Sequence, residues 1–568
     1  MSTFNKTSQP GTNKKNGTQP TLLSLFAQRV KEHPTQIWLT DLGDERSNSW
    51  TWEAANSEIQ AVSSWINDAL DGSGKNVSIL SKNRAHWVLS DMAIIHSGHV
   101  SVPMFTTQSN EIAKYIFDFS DVKILFVGEA DNWASIRDVI PKDARVVTYP
   151  GVEVDVSAIR WEDIVKEYSG RTVSVNPSPD DVISIVFTSG TTGMPKGVIQ
   201  THSSMILSVR RMDSRLGLDP KPRMISYLPL SHIAERIAIE THSLCLGGEI
   251  SFAQSIATLF RDLQCITPTF FFGAPRIWET LQQEIYRCFG GRAAFEQAMA
   301  EDKAAATYKA RTQLGFQNVD ELISGSAPLS TSLLSFYDDL GMTIIEGFGQ
   351  TEANSLFTNT KDDRRIGSIG KPNEGIDVRI AENSELQVRG PGFAVGYYND
   401  PEKTSETFVD GWVHTGDRAR VDDDGFYYIT GRIKDYFKTI HGKFVAPGPI
   451  EDLFCQSPYL DQLCLIGRGC SKTAIICVPN SEGLALSKEE LAQELTQTVE
   501  STNSALNERH ARIGVVLLTR EPWTIENGFL TTTLKVKRPA VDDAFLDIVK
   551  PLATEAAIHG EIRIEWNE

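Results

Sequence analysis

The chain has 568 residues, 41% hydrophobic, 9% aromatic and 23% charged, a balance that supplies a large apolar core and excludes a disordered or collagen-like polymer. At about 150 residues per domain the length implies more than one folding unit, two or three where large α/β domains occur. With 55 Lys and Arg against 73 Asp and Glu, the formal charge of −18 repels polyanions, so nucleic acid is not the expected partner.

Residues 1–20 are polar, lack an apolar segment and read as a disordered tail, not a secretory signal. Leu22, Leu23, Leu25, Phe26 and Val30 then recur at helical spacing as far as His33-Pro34. Beyond them, strand-like runs at Val77–Leu80, Ile124–Val127, Ile183–Phe187 and Phe270–Phe272 alternate with amphipathic stretches, the pattern of βα units around mostly parallel sheets. From about Gly375 the runs shorten and Gly, Asp and Pro interrupt them, which predicts a small antiparallel β unit. After Gly431, strands at Cys464–Ile466 and Ala474–Val478 precede a helix opened by Ser487 and Glu490 as a capping box, with Leu491, Leu495 and Val499 on one face. The fold class is therefore α/β: a large N-terminal domain of mixed parallel sheets flanked by helices with a small β subdomain, then a small α+β C-terminal domain. Seven cysteines without a C-x-x-C pair suit a reduced, cytoplasmic setting. No run of about 18 apolar residues predicts a bilayer span, while peripheral contact with a membrane's inner face and a homodimer stay open.

The most informative stretch follows the strand Ile183–Phe187. Thr188, Ser189, Thr191 and Thr192 offer hydroxyls, Gly190, Gly193 and Gly197 let backbone N–H groups approach an anion, and Lys196 adds a positive charge. Polyphosphate is the natural ligand of such a loop. The P-loop pattern G-x-x-x-x-G-K-[ST] is not met, because Lys196 lies between Pro195 and Gly197.

The run Thr188–Gly197 resembles the signature loop of the adenylate-forming superfamily: acyl-CoA synthetases, luciferases and peptide-synthetase adenylation domains. Further segments resemble that family in its order: Gly325-Ser326-Ala327-Pro328-Leu329, Glu346 to Glu352, Gly411 to Asp417, Gly431 to Asp435, and Leu534 to Arg538. The resemblance implies ATP, Mg²⁺ and coenzyme A as cofactors and cosubstrates, and a carboxylic acid converted to acyl-AMP and then to a thioester. It assigns Lys196 and the Thr188–Thr192 hydroxyls to the β- and γ-phosphates, Glu352 with Thr188 to the metal, and Thr351 to the α-phosphate. Gly325, Ser326, Ala327 and Pro328 would form the adenine-side loop, and Gly347, Phe348 and Gly349 would pack on the base, with Phe where most members have Tyr. Asp417 would accept from both ribose hydroxyls, and Arg432 would make a second ribose and phosphate contact. Lys535 would be the catalytic lysine, here preceded by Leu534.

The same resemblance implies domains at 21–432 and 436–568 joined by a hinge at 433–435. The small mobile domain would turn about Lys434, and Gly442 would line a pantetheine channel. Leu228 to Arg236 and Pro268 to Glu279 look most like the long-chain fatty acid–CoA ligase branch, bubblegum-type members included. His232 would flank the carboxylate end, and Arg236 stands where some bacterial members gate the acyl tunnel with an aromatic residue. From hydrophobicity alone, Phe270–Phe272 reads first as a buried strand. The implied function is a long- or medium-to-long-chain fatty acid–CoA ligase. The alternatives are an acyl-AMP ligase serving a carrier protein or another acceptor, a β-lactone-forming synthetase, or an inactive acyl- or nucleotide-binding module.

Overall fold

The computed structural model describes residues 19–43, 47–72, 74–188, 194–525, 527–531 and 535–567. The first helix, Leu22–Glu32, starts at Thr21, whose hydroxyl accepts from the Ser24 N–H in a capping box, and buries Leu22, Leu23, Leu25 and Phe26. The predicted run Val77–Leu80 lies in a seven-stranded sheet ordered 159–160, 145–148, 124–127, 76–80, 100–104, 182–188, 196–201. All its neighbours pair in parallel except the last two, Val182–Thr188 and Lys196–Thr201, which form an antiparallel hairpin. Buried on both faces, these strands read as continuous apolar runs.

A second sheet carries Phe270–Gly273, Glu321–Ser324 and Ile344–Gln350 in parallel, extended by the antiparallel Asn354–Thr358 and Lys371–Pro372. A four-stranded sheet joins Arg223–Ser226, Glu249–Phe252, Ile37–Asp41 and Asn48–Thr51. Past Gly375 comes the expected antiparallel unit, in which Trp412–Val421 pairs with Glu385–Arg389 on one side and Tyr427–Arg432 on the other.

The short 3₁₀ turn Ile433–Asp435 leads from that unit into the C-terminal region. There a four-stranded sheet of Leu460–Ile466, Thr473–Pro479, Ile513–Thr519 and Arg563–Asn567 is sandwiched between two helices. Period-two alternation decides which residue meets which helix. Ala474, Ile476 and Val478 pack with Val541, Phe545 and Val549 of Arg538–His559, whereas Ile475 and Cys477 pack with Leu491, Leu495 and Val499 of Lys488–Ala505. The latter helix opens on the predicted Ser487–Glu490 capping box. Truncating Leu495 to Ala would cost about 2–5 kcal/mol, because the side chain is fully buried.

One consequence of this topology positions the site. The carboxyl ends of the parallel strands release Ser81, Phe105, Tyr227, Ala253, Ala274 and Gly325 toward a single cavity. Ligands of open α/β sheets bind at that edge, because the loops there are free to vary while the strands hold them in place. No helix among the described residues is long and apolar enough to cross a membrane.

Candidate active site

The cavity measures about 3050 Å³ and is lined from both the N-terminal sheets and the C-terminal region. That exceeds the roughly 300–1,000 Å³ of a pocket for one drug-sized molecule, and leaves room for a nucleotide together with a second substrate.

One end is built on the hairpin. Thr188 ends one strand and Lys196 begins the next, paired in register, with the Thr188 hydroxyl donating to the Lys196 carbonyl at 3.4 Å. Ser189, Gly190, Thr191, Thr192 and Gly193 lie outside the described residues. Burial lowers the Lys196 pKa; Glu352 opposes that, while Lys434 and Lys403 reinforce it. All four of these side chains line the cavity, so the turn at Lys434 and the hairpin face the same space.

Thr351 and Glu352 follow the strand Ile344–Gln350 and are fixed from behind. Gln200 Nε2 donates to the Thr351 carbonyl at 2.7 Å, and Asn354 Nδ2 donates to Gln200 Oε1 at 3.2 Å. Asn354 itself sits at φ +54°, the left-handed region that Asn tolerates better than most residues. The tight return also explains Gly349, where a Cβ would lie 2.1 Å from the Asn354 carbonyl oxygen. Glu352 Oε1 accepts from the Tyr397 hydroxyl at 2.7 Å.

Among the described residues no group of three or more His, Cys, Asp or Glu side chains could hold a metal ion. One carboxylate in the cavity that Lys196 and Thr188 also line fits Mg²⁺, which keeps several waters and binds through one or two carboxylates plus substrate phosphates. Glu352 and Thr188 are the residues that would hold it.

On another wall, Gly325, Ser326, Ala327 and Pro328 follow the strand Glu321–Ser324 and line the cavity with Gly347, Phe348 and Gly349. Ser326 adopts φ +71°, a strained position for a residue with a Cβ, and a Cβ on the preceding Gly325 would lie 3.5 Å from the Gly347 carbonyl oxygen. Phe348 meets Phe357 edge-on with ring centroids 6.1 Å apart.

Asp417 is 2% exposed, and both its oxygens are engaged by protein in this state. Arg432 Nε stands 2.7 Å from Oδ1, and Gln350 Nε2 donates to Oδ2 and to the Thr415 carbonyl. A carboxylate has about four lone-pair sites, so these bonds orient Asp417 without saturating it. Burial pushes its carboxyl up to about 6 against the pull of Arg432.

Lys535 arrives from the C-terminal region. Its side chain is reached by the cavity's solvent yet enclosed by protein, and this enclosure lowers its pKa to about 8, with Arg432 adding to the shift and Asp417 opposing it. His232 feels Lys535 in turn: burial, then that lysine's charge, push its pKa down to about 4. The Ala234 N–H donates to His232 Nδ1, which places the ring proton on Nε2. Lys535, Asp417, Arg432 and His232 thus share one electrostatic neighbourhood.

Gly442 is not part of it. It occupies the φ +71° turn between Phe437–Lys438 and Phe444–Val445 and does not line the cavity. Arg236 is also absent from the wall: it is fully buried, with Glu240 at 3.1 Å, the Ser184 hydroxyl at 2.8 Å and Asp91 as third partner. The aromatic-gate position is therefore a structural ion cluster, and the neighbouring Ile237 and Ala238, on the π-helix Arg236–Thr241, line the cavity instead. Two residues escaped the sequence reading. Gln350 lay within a quoted motif and had a signal in its amide; Tyr397 had none, because its partner Glu352 is distant in the chain.

The family model described as AMP-binding enzyme matches residues 26–398, and that of the AMP-binding enzyme C-terminal domain matches 434–555. The chain belongs to the AMP-binding enzymes. A long-chain-fatty-acid–CoA ligase of Mycobacterium bovis is 29% identical, covering 94% of this chain and 97% of its own. Human long-chain-fatty-acid–CoA ligase 1 is also 29% identical, over 83% of this chain and 77% of its own. Among solved structures, the adenylation domain of a carboxylate reductase from Mycobacterium chelonae superposes with a TM-score of 0.80 at 20% identity, covering 95% of this chain and 92% of that one. That likeness confirms the architecture of large and small α/β units in this AMP-binding enzyme.

Proposed function

We propose that the protein is an ATP- and Mg²⁺-dependent long- or medium-to-long-chain fatty acid–CoA ligase. A carboxylate is a poor acyl donor, since its leaving group would be oxide. Attack of its oxygen on the α-phosphorus of ATP forms acyl-AMP and expels pyrophosphate; the thiolate of coenzyme A then attacks the carbonyl carbon, and AMP leaves. Bound Mg²⁺ would neutralise phosphate charge. For the rest, catalysis of such a step is positioning and electrostatics.

Lys196 and the Thr188 hydroxyl would hold the outer phosphates, and Thr351 the α-phosphate. Asp417 and Arg432 would read the ribose, with Gln350 holding the acid in place. Lys535 would stabilise the charge growing between the α-phosphate and the attacking carboxylate, for which it must be protonated. His232, neutral at working pH, would donate from Nε2 to the carboxylate end without adding charge. The observation that carries this reading is that Lys535, Asp417, Arg432 and His232 line the same cavity as Lys196 and Glu352. The turn 433–435 would serve as the hinge by which one small domain, 436–568, supports both half-reactions and brings Gly442 to the thiol.

The acyl chain is proposed from the apolar wall of Ile237, Ala238, Phe252, Phe272 and Met212 and from the names of the relatives. Each methylene buried there contributes about 0.8 kcal/mol. Incubation with palmitate, ATP and coenzyme A tests the reading: palmitoyl-CoA and AMP are expected, and pyrophosphate release without acyl-CoA would refute the ligase assignment.

A further inference from the structure

Tyr397 touches both side chains on which the phosphate end depends. Its hydroxyl donates to Glu352 Oε1 at 2.7 Å, and Lys196 Nζ stands 4.9 Å from the centre of its ring. The residue is 6% exposed and held from three directions. Its own N–H donates to the Thr404 hydroxyl at 2.9 Å, and its ring meets Phe408 at 6.2 Å. Its segment is annealed to the lysine's strand, through Ile199 N–H to the Gly396 carbonyl at 3.0 Å and Tyr398 N–H to the Gly197 carbonyl at 2.7 Å. The Ala394 N–H also donates to the Glu352 carbonyl at 3.0 Å, so the same segment grips the carboxylate's backbone.

Lys196 and Glu352 carry opposite charges at one site, and a direct ion pair between them would have to break before either could serve a ligand. Tyr397 bridges the two differently. Its ring face attracts the ammonium without neutralising it, and its hydroxyl fixes one carboxylate oxygen while leaving lone pairs on the other. A free glutamate side chain loses rotamer entropy on being fixed; here that loss is met during folding.

We propose that Tyr397 is a positioning residue that holds Glu352 and Lys196 apart and ready for a Mg²⁺-bound triphosphate. The inference rests on the adenylating reading of the site. Calorimetric titration tests it with two probes, the Mg²⁺ complex of a non-hydrolysable ATP analogue and AMP alone. Tyr397→Phe keeps the ring over Lys196 and removes only the donor, so affinity for the Mg²⁺ analogue should fall about tenfold while AMP affinity stays unchanged. In a Glu352→Gln background the tyrosine change should add nothing, since the bond it removes joins those two side chains. Equal weakening of AMP, or an unchanged affinity for the Mg²⁺ analogue in Tyr397→Phe alone, would overturn the proposal. If Glu352→Gln itself leaves the Mg²⁺ analogue's affinity intact, the phosphate-site reading falls, and the tyrosine proposal falls with it.

Discussion

At one end the cavity is walled by the charged residues Lys196, Glu352, Arg432 and Lys535, with the buried Asp417 held by Arg432 and Gln350. Around Ile237, Ala238, Phe252 and Phe272 the wall is methyl and phenyl groups, and the ion cluster of Arg236 with Asp91 and Glu240 is sealed in the core. The difference teaches what each ion is for. Exposed to the cavity, a charge acts on a ligand and is lost singly; sealed in the core, it fixes the helix that carries the wall.

The sharpest test of that contrast is Arg236→Met. It strands two buried carboxylates and should lower folding stability by about 3–5 kcal/mol, read as a large fall in the thermal midpoint. Should that variant unfold at the parent's temperature, the cluster is no clamp. Lys196→Ala should do the opposite, leaving stability near the parent's and slowing adenylation by about 10²–10³-fold, as loss of one preorganised charge partner does. Equal effects of the two on melting would erase the comparison. Ala238→Phe tests the wall itself: it should shorten the preferred acid, with kcat/KM falling about fourfold for each methylene displaced, while AMP affinity holds. Uniform loss across a panel from acetate to oleate would place Ala238 away from the chain.

The smallest effect is in the pH profile. Asp417, raised to about 6, is a carboxylate only above that value, so nucleotide binding should weaken as pH falls through it. Lys535, lowered to about 8, carries its proton only below that value, so adenylation should fade as pH rises through it. The expected profile is a bell between the two, up to about tenfold per unit on each limb. In Lys535→Arg the alkaline limb should move up, and a limb that stays in place would belong to another group.

Resemblance to the adenylate-forming motifs made Glu352, Asp417 and Lys535 legible, whereas Lys196 stood out locally, from the glycines and hydroxyls around it. Strand periodicity and the Ser487–Glu490 cap were legible for the same local reason. The acyl wall was not: Phe270, Phe271 and Phe272 look alike in sequence, yet Phe271 turns to Tyr227 and Trp278 while Phe272 lines the cavity. Nor could any local pattern show that Arg236 pairs with Asp91, which lies on a different helix, or that Tyr397 reaches Glu352, because only tertiary packing brings those partners together.

The most direct measurement is exchange of labelled pyrophosphate into ATP with palmitate and without coenzyme A, comparing the parent chain with Lys535→Ala. The parent should exchange, and the variant should be slower by about 10²–10³-fold. A variant that exchanges as fast as its parent would contradict the meeting of that lysine with the nucleotide.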